Sequence, residues 1–224
     1  MDTPEAARVA KRDGATRGAV AELVGRRVEA EPSVFAEVVS DIVSVDVLFY
    51  PPTDESTCWT LATSGMSDRP MRGPEGGELY AELTLALPKS WRVGPEAFGD
   101  EAGYWPVGLL RRVARYPHEA GIALAPGQLL AFGDPAQPLD PAGQFNAVLI
   151  AFPVLLGDEA VDPVALGDGR EVRLLSVIPL RPSEYAFARR EGMDALFDAM
   201  ADQADRDPIH ELTEFLDVDR PDIV

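Results

Sequence analysis

Apolar residues recur along the chain at two spacings, and the two divide it into strands and helices. Leu79, Ala81, Leu83, Leu85 and Leu87 alternate with Tyr80, Glu82, Thr84 and Ala86, which predicts a strand with two distinct faces, ended by Pro88. Ile42 to Tyr50 is β-branched and partly alternating. Across the turn Pro51 to Ser56 it should pair with Thr57 to Thr63. Ala123 to Phe132 and Phe145 to Phe152 read as further strands. Val172 to Ile178 reads as the second arm of a hairpin turned at Gly167-Asp168-Gly169, where the Asp-Gly step suits positive φ.

Helical spacing appears elsewhere. Ala19-Val20, Leu23-Val24 and Val28 predict an N-terminal amphipathic helix within residues 1–30, and Pro32-Ser33 predicts the start of a short helix over Val34 to Val39. A helix beginning at Trp105-Pro106 would turn Val107, Leu109, Leu110, Val113 and Ala114 inward. Its arginines Arg111, Arg112 and Arg115 would lie outward or cover apolar surface with their stems. Pro182-Ser183-Glu184 starts a helix that Gly192 interrupts and Met193 to Met200 resumes. The stripe Ile209, Leu212, Phe215 and Leu216 predicts one more helix that docks on the core. The sum is an α+β chain with loops at 64–71 and 73–77, no internal repeat and no linker long enough to divide it.

Composition agrees with one globular domain: 224 residues, 46% apolar and 26% charged. Charge changes the picture, because 38 acids against 20 Lys and Arg leave a net of −18, which repels nucleic-acid phosphates and anionic lipid. Its distribution is uneven. Residues 1–30 carry six basic and five acidic side chains, +1, whereas residues 192–224 carry two basic and ten acidic ones, −8, leaving −11 between them. Cys58 is the only cysteine, the first residues are acidic, and the longest apolar run, Ala147 to Gly157, is about half the roughly 20 residues of a membrane span. A cytoplasmic protein is expected, with neither a nucleic-acid nor a membrane partner.

Candidate chemistry is sparse. His118 and His210 are the only histidines, so a histidine-rich metal site is not available. His118 at a helix end suits an imidazolium facing the negative pole of the helix, with Glu119 paired to Arg115. Cys58 beside Trp59 in a strand reads as a buried, inert thiol. Gly73, Gly76 and Gly77 have neither phosphate-loop spacing nor a tolerant charge, since Glu75 and Glu78 would repel phosphate. Among 38 acids some pair could always be nominated for acid/base work, so abundance names no residue. No catalytic, metal or cofactor-binding residue is assigned, and no cofactor is expected.

Several segments in order then resemble the Suppressor of fused family. Thr63-Ser64-Gly65-Met66-Ser67-Asp68-Arg69-Pro70-Met71 is the most specific. Val45-Asp46-Val47 and Pro51-Pro52-Thr53 precede it. Tyr80-Ala81-Glu82-Leu83, Trp105-Pro106, Ala114-Arg115-Tyr116-Pro117-His118-Glu119, Ile178-Pro179-Leu180 and Asp217-Val218-Asp219-Arg220-Pro221 follow it. The resemblance spans roughly residues 33–222. It implies an α/β (α+β) domain at 33–224, including the acidic C-terminal helix, with residues 1–32 as a helical extension. The sheet would be mixed and largely antiparallel, flanked by helices, similar to the N-terminal lobe of the animal protein.

The function so implied is non-enzymatic holding of another protein. Bacterial members resemble immunity proteins of polymorphic-toxin systems, so the expected partner is a protein, such as a basic toxin domain. Two other readings stay open: a regulatory module that adds a peptide strand to a sheet edge, and a carboxylate-using hydrolase. Gly65, Ser67, Trp105, Pro106, His118 and Glu119 are expected to be structural. Asp68 should form a local turn, accepting backbone N–H bonds or pairing Arg69, or else contact the partner beside the acidic loop. Asp68, Arg69, Glu75 and Glu78 are therefore the partner-binding candidates. Pro70 stands where animal members carry a clamp tyrosine.

Overall fold

The structure is a computed structural model that describes residues 14–38, 40, 42–54, 56–153, 156–157, 160–206 and 222–224. The expected helix at 208–216 lies outside them. A nine-stranded sheet runs in the order β1-β2-β3-β5-β9-β7-β6, with β4 beside β5 and β8 beside β9. Its strands are β1 (Ser33–Phe35), β2 (Asp46–Tyr50), β3 (Trp59–Ser64), β4 (Met71–Arg72), β5 (Glu78–Leu87), β6 (Leu129–Ala131), β7 (Ala147–Ala151), β8 (Val164–Ala165) and β9 (Glu171–Leu180). All pairs are antiparallel except β5 with β9, whose parallel register sets Tyr80 opposite Val172 and Glu82 opposite Leu174. The expected mixed, largely antiparallel sheet is what forms.

Side-chain alternation sorts residues into two layers over the sheet. Val47, Phe49, Leu61, Leu83, Leu85, Val148, Ile150, Leu175 and Val177 face helix α2 (Glu101–Ala120), which brings Trp105, Leu109, Leu110 and Val113. On the opposite face, Leu48, Tyr50, Ala62, Val172 and Leu174 meet Val20, Val24 and Val28 of α1 (Gly14–Val28). Farther along that face, Ala147, Leu149 and Leu180 meet α3 (Pro182–Glu191) and α4 (Met193–Arg206) through Ala188, Leu196 and Met200. The two-faced reading of β5 therefore holds residue by residue. Each fully buried valine of α1 contributes about 1.5–3 kcal/mol, so the N-terminal helix lies firmly on the sheet.

Three expectations are corrected. Residues 33–35 form an edge strand rather than the start of a helix, because Val34 and Phe35 pair with Leu48 and Val47 of β2, and that pairing outweighs a weak local helix signal. Helix α2 begins at Glu101, ahead of Trp105-Pro106. Asp100 caps it by accepting from the Ala102 N–H at 3.2 Å, and Pro106 and Pro117 lie inside, each forgoing one backbone bond. Strand β6 is confined to Leu129–Ala131, since the turn around Pro126-Gly127 precedes it. Gly192 breaks α3 from α4 as expected, at φ +96°.

Candidate partner-binding site

The starts of β2, β5 and β9, the end of β3, the first turn of α1 and the last turns of α2 meet at one end of the sheet, where a buried carboxylate organises the loop after β3. Glu82 is fully buried on β5. Its Oε1 accepts from the Gly65 N–H (2.8 Å), the Ser67 N–H (3.0 Å) and the Ser67 hydroxyl (2.6 Å), and its Oε2 accepts from the Thr63 hydroxyl (2.6 Å) and the Met66 N–H (3.2 Å). Gly65, at φ +125°, turns the chain so that a 3-10 turn at Met66–Asp68 aims successive N–H groups inward, an anion-holding backbone concavity. Thr63 accepts in turn from the Leu83 N–H at 2.7 Å. Gly65 and Ser67 are thus structural in a specific sense: they cradle Glu82. Sequence reasoning placed Glu82 on the polar face of its strand but not at the centre of this cradle.

Asp68 does not pair with Arg69. The local turn forms from backbone bonds, Asp68 N–H to Gly65 C=O (3.1 Å) and Arg69 N–H to Met66 C=O (3.4 Å), which frees the carboxylate for a distant partner. That partner is Arg17 of α1, whose Nη2 donates to Asp68 Oδ2 (2.8 Å) and to the Ser44 carbonyl (2.8 Å), while Nη1 donates to Asp46 Oδ2 (2.5 Å). Only 1% of the Asp68 side chain is exposed, so its carboxylate faces Arg17 rather than solvent.

The network continues toward α2. Asp46 Oδ1 accepts from the Glu37 N–H (2.8 Å), and the Glu37 carboxylate accepts from the Val45 N–H (2.9 Å) and pairs with Arg115. Arg111 is buried as well, donating to the carbonyls of Val45 (3.0 Å) and Phe35 (3.1 Å) and to the Tyr104 hydroxyl (3.0 Å). Arg115 therefore meets Glu37 rather than Glu119, which stays exposed, because a largely buried carboxylate needs a cation more than a solvated one does.

His118 is also corrected. Burial, reinforced by the nearby Arg69 guanidinium and opposed by a hydrogen bond with the Met66 backbone, lowers its pKa to about 4. The ring is neutral at pH 7, and desolvation outweighs the helix-end attraction for an imidazolium. Trp105 is buried against Trp91 (6.1 Å, edge-on) and Phe145 (5.8 Å, stacked), within the aromatic core beside Pro106. Cys58 is a buried thiol.

Around this buried network lies an exposed rim of mixed charge, where Arg72 and Arg173 stand beside the acids. The parallel β5 and β9 bring the 73–78 loop beside the 166–170 turn, so Glu75, Glu78, Asp168 and Glu171 stand at one end of the sheet in contact with solvent. The Tyr80 hydroxyl donates to Glu78 (2.8 Å), and burial, then Glu78, raises its pKa. Arg170 lies over the Tyr80 ring, 5.3 Å from its centroid, and pairs with Asp168 at 2.6 Å. Arg69 is half-buried between rim and network.

Other concavities lie away from this end. A cleft of about 310 Å³ is lined by Tyr104, Trp105, Arg112, Pro138 and Asp140, and one of about 930 Å³ by Ser90 to Ala97 with the start of α2. Asp140 is engaged by the N–H groups of Ala142 (3.0 Å) and Phe145 (2.8 Å), and Asp100 by its cap, so neither cleft presents a free pair of converging acids. Among the described residues no group of three or more His, Cys, Asp or Glu gathers to hold a metal ion, and no helix is long and apolar enough to cross a membrane.

Comparison with known proteins agrees with this architecture. The model of the Suppressor of fused protein family matches residues 41–221, more than half of the chain. No curated protein matches. A solved Suppressor of fused homolog from Neisseria gonorrhoeae is similar at a TM-score of 0.63 and 18% identity, over 93% of this chain and 97% of that one. A chain of the Sufu–Fu complex structure is similar at 0.58 and 16%, over 82% and 83%. Drosophila Suppressor of fused is similar at 0.52 and 16%, over 78% of this chain and 44% of its own. Those structures share the fold, and the family match over residues 41–221 makes this chain a member of the Suppressor of fused family.

Proposed function

We propose that the chain is a non-enzymatic, cytoplasmic protein-binding domain of the immunity type, which binds a basic toxin domain and neutralises it. The observation that carries this reading is the net charge of −18 on a chain that turns three of its arginines inward. Arg17, Arg111 and Arg115 are drawn inward by Asp46, Asp68, Glu37 and backbone carbonyls, while Glu75, Glu78, Asp168 and Glu171 stay exposed on a rim they share with Arg72 and Arg173. A net charge of −18 raises the on-rate for a basic partner more than the final affinity. Arg69, Glu75 and Glu78 are the proposed contacts. Family membership supports a binding role, and the Sufu–Fu complex is a relative bound to another protein.

The test is pull-down with the full chain at low and high salt, alongside a Glu75→Lys/Glu78→Lys variant. Capture that weakens with salt and falls in the variant supports the reading; capture indifferent to both sinks its electrostatic part.

One observation favours strand addition as a second reading. Edge strand β1 contains neither lysine nor proline, and Val34 on it is 59% exposed. A Val34→Lys substitution would abolish capture on that reading and leave it unchanged on the first.

A further inference from the structure

Arg17 comes from outside residues 41–221, yet every group that receives it lies inside them: the Ser44 carbonyl, Asp46 Oδ2 and Asp68 Oδ2. The receiving groups come from two separated stretches of chain, 44–46 and 68, each also anchored by features independent of Arg17. Asp46 is fixed in β2 and accepts the Glu37 N–H, and Asp68 closes the turn held by Glu82. Gly65 makes the space. A Cβ there would overlap both the Arg17 guanidinium and the Ser44 carbonyl, so the glycine is needed for room as well as for its φ of +125°.

Shape selects the ligand. Three nitrogens of one planar fork are used, Nη1 on Asp46, Nη2 on Asp68 and Ser44, and Nε on Asp68 at 3.3 Å. An ammonium is a point charge and cannot reach acceptors spread across such a plane. The occupant's own helix is a poor one in isolation, with Gly14, Gly18 and Gly25 among fifteen residues, and it depends on docking through Val20, Val24 and Val28.

We infer that Ser44, Asp46, Gly65 and Asp68 form a guanidinium-binding site of the family domain, and that α1 is its built-in ligand, delivering Arg17 in cis. The residues expected to be an extension are thereby part of the domain's working structure. Arg17 is the positioning residue that ties α1 to the 64–68 turn, adding to the hold that Glu82 exerts on it. This holds whether or not the partner is a toxin.

Chemical rescue tests it. Full-length Arg17→Ala is compared with wild type and with Arg17→Ala/Asp68→Asn, each with and without about 20 mM ethylguanidinium or ethylammonium, by thermal unfolding and by amide exchange over residues 64–68. Arg17→Ala should lower the melting temperature and speed exchange there on the order of a hundredfold, as expected when two largely buried carboxylates lose their shared cation. Ethylguanidinium should restore both readouts in Arg17→Ala alone, and ethylammonium in none. Should Arg17→Ala not fold, refolding yield with and without ethylguanidinium becomes the readout, and Arg17→Lys, which keeps the charge without the fork, should stay defective. Rescue equally good with ethylammonium, equal shifts in wild type, or no rescue overturns the site.

Discussion

Replacing Glu82 by glutamine is a near-isosteric change that should cost far more than its size suggests. Both carboxylate oxygens face backbone N–H donors, Gly65 and Ser67 on one side and Met66 on the other. Whichever way the amide is turned, its NH2 points at an N–H. In the better orientation the oxygen keeps Gly65 and Ser67, while the Met66 N–H is left buried without an acceptor, at about 1–3 kcal/mol. The three surviving bonds to that oxygen fall from charge-assisted to neutral strength, about 1 kcal/mol each. Relief of the buried charge offsets part of this, so a net loss of about 3–5 kcal/mol is expected, a large share of the roughly 5–15 kcal/mol that stabilises a domain. Urea unfolding followed by tryptophan fluorescence measures it. Amide exchange should show the loss beginning at residues 65–67, and exposed Glu75→Gln should change stability by less than about 0.5 kcal/mol. A Glu82→Gln loss below about 1 kcal/mol would refute the cradle as the loop's organiser.

The glycine of the cradle can be separated from an ordinary turn glycine. Gly65→Ala should cost at least about 3 kcal/mol, because left-handed strain adds to overlap with Ser44 and Arg17, whereas Gly76→Ala, at φ +80° with open space around it, should cost about 1 kcal/mol in the same unfolding assay. His118 predicts a pH dependence. A folded pKa of about 4 against an ordinary 6.5 means the unfolded chain binds the proton first, so its contribution is complete above pH 6.5 and is lost as pH falls toward 4. Discounted for partial exposure this is about 1–2 kcal/mol, and His118→Gln should flatten the stability–pH curve across that window. A thiol reagent should modify Cys58 only at the rate of unfolding, since the side chain is buried.

What was legible in the sequence, and what was not, follows from the range of each interaction. The alternation of β5 and the Gly167-Asp168-Gly169 hairpin are local, and both are realised. The misread segments are those where a partner far along the chain decides the outcome. Residues 33–35 become a strand because β2 is there to pair with, and Asp68 turns away from its neighbour because Arg17, 51 positions earlier, is brought to it by α1. The family motif around Gly65 was visible, but its physical reason sits on another strand, in a glutamate that looked like one polar residue of an alternating run. Charge totals located an acidic protein. Only the parallel register of β5 and β9, about 90 positions apart, shows that the 73–78 loop and the 166–170 turn share one rim.

The most direct test of the binding role is to purify this chain with the protein encoded by the neighbouring gene and measure their association rate from about 50 to 500 mM salt. The account predicts a stable complex that suppresses the neighbour's toxicity, with an association rate falling roughly tenfold or more over that range. No complex with the neighbour, or a complex whose rate ignores salt and which leaves toxicity intact, would contradict it.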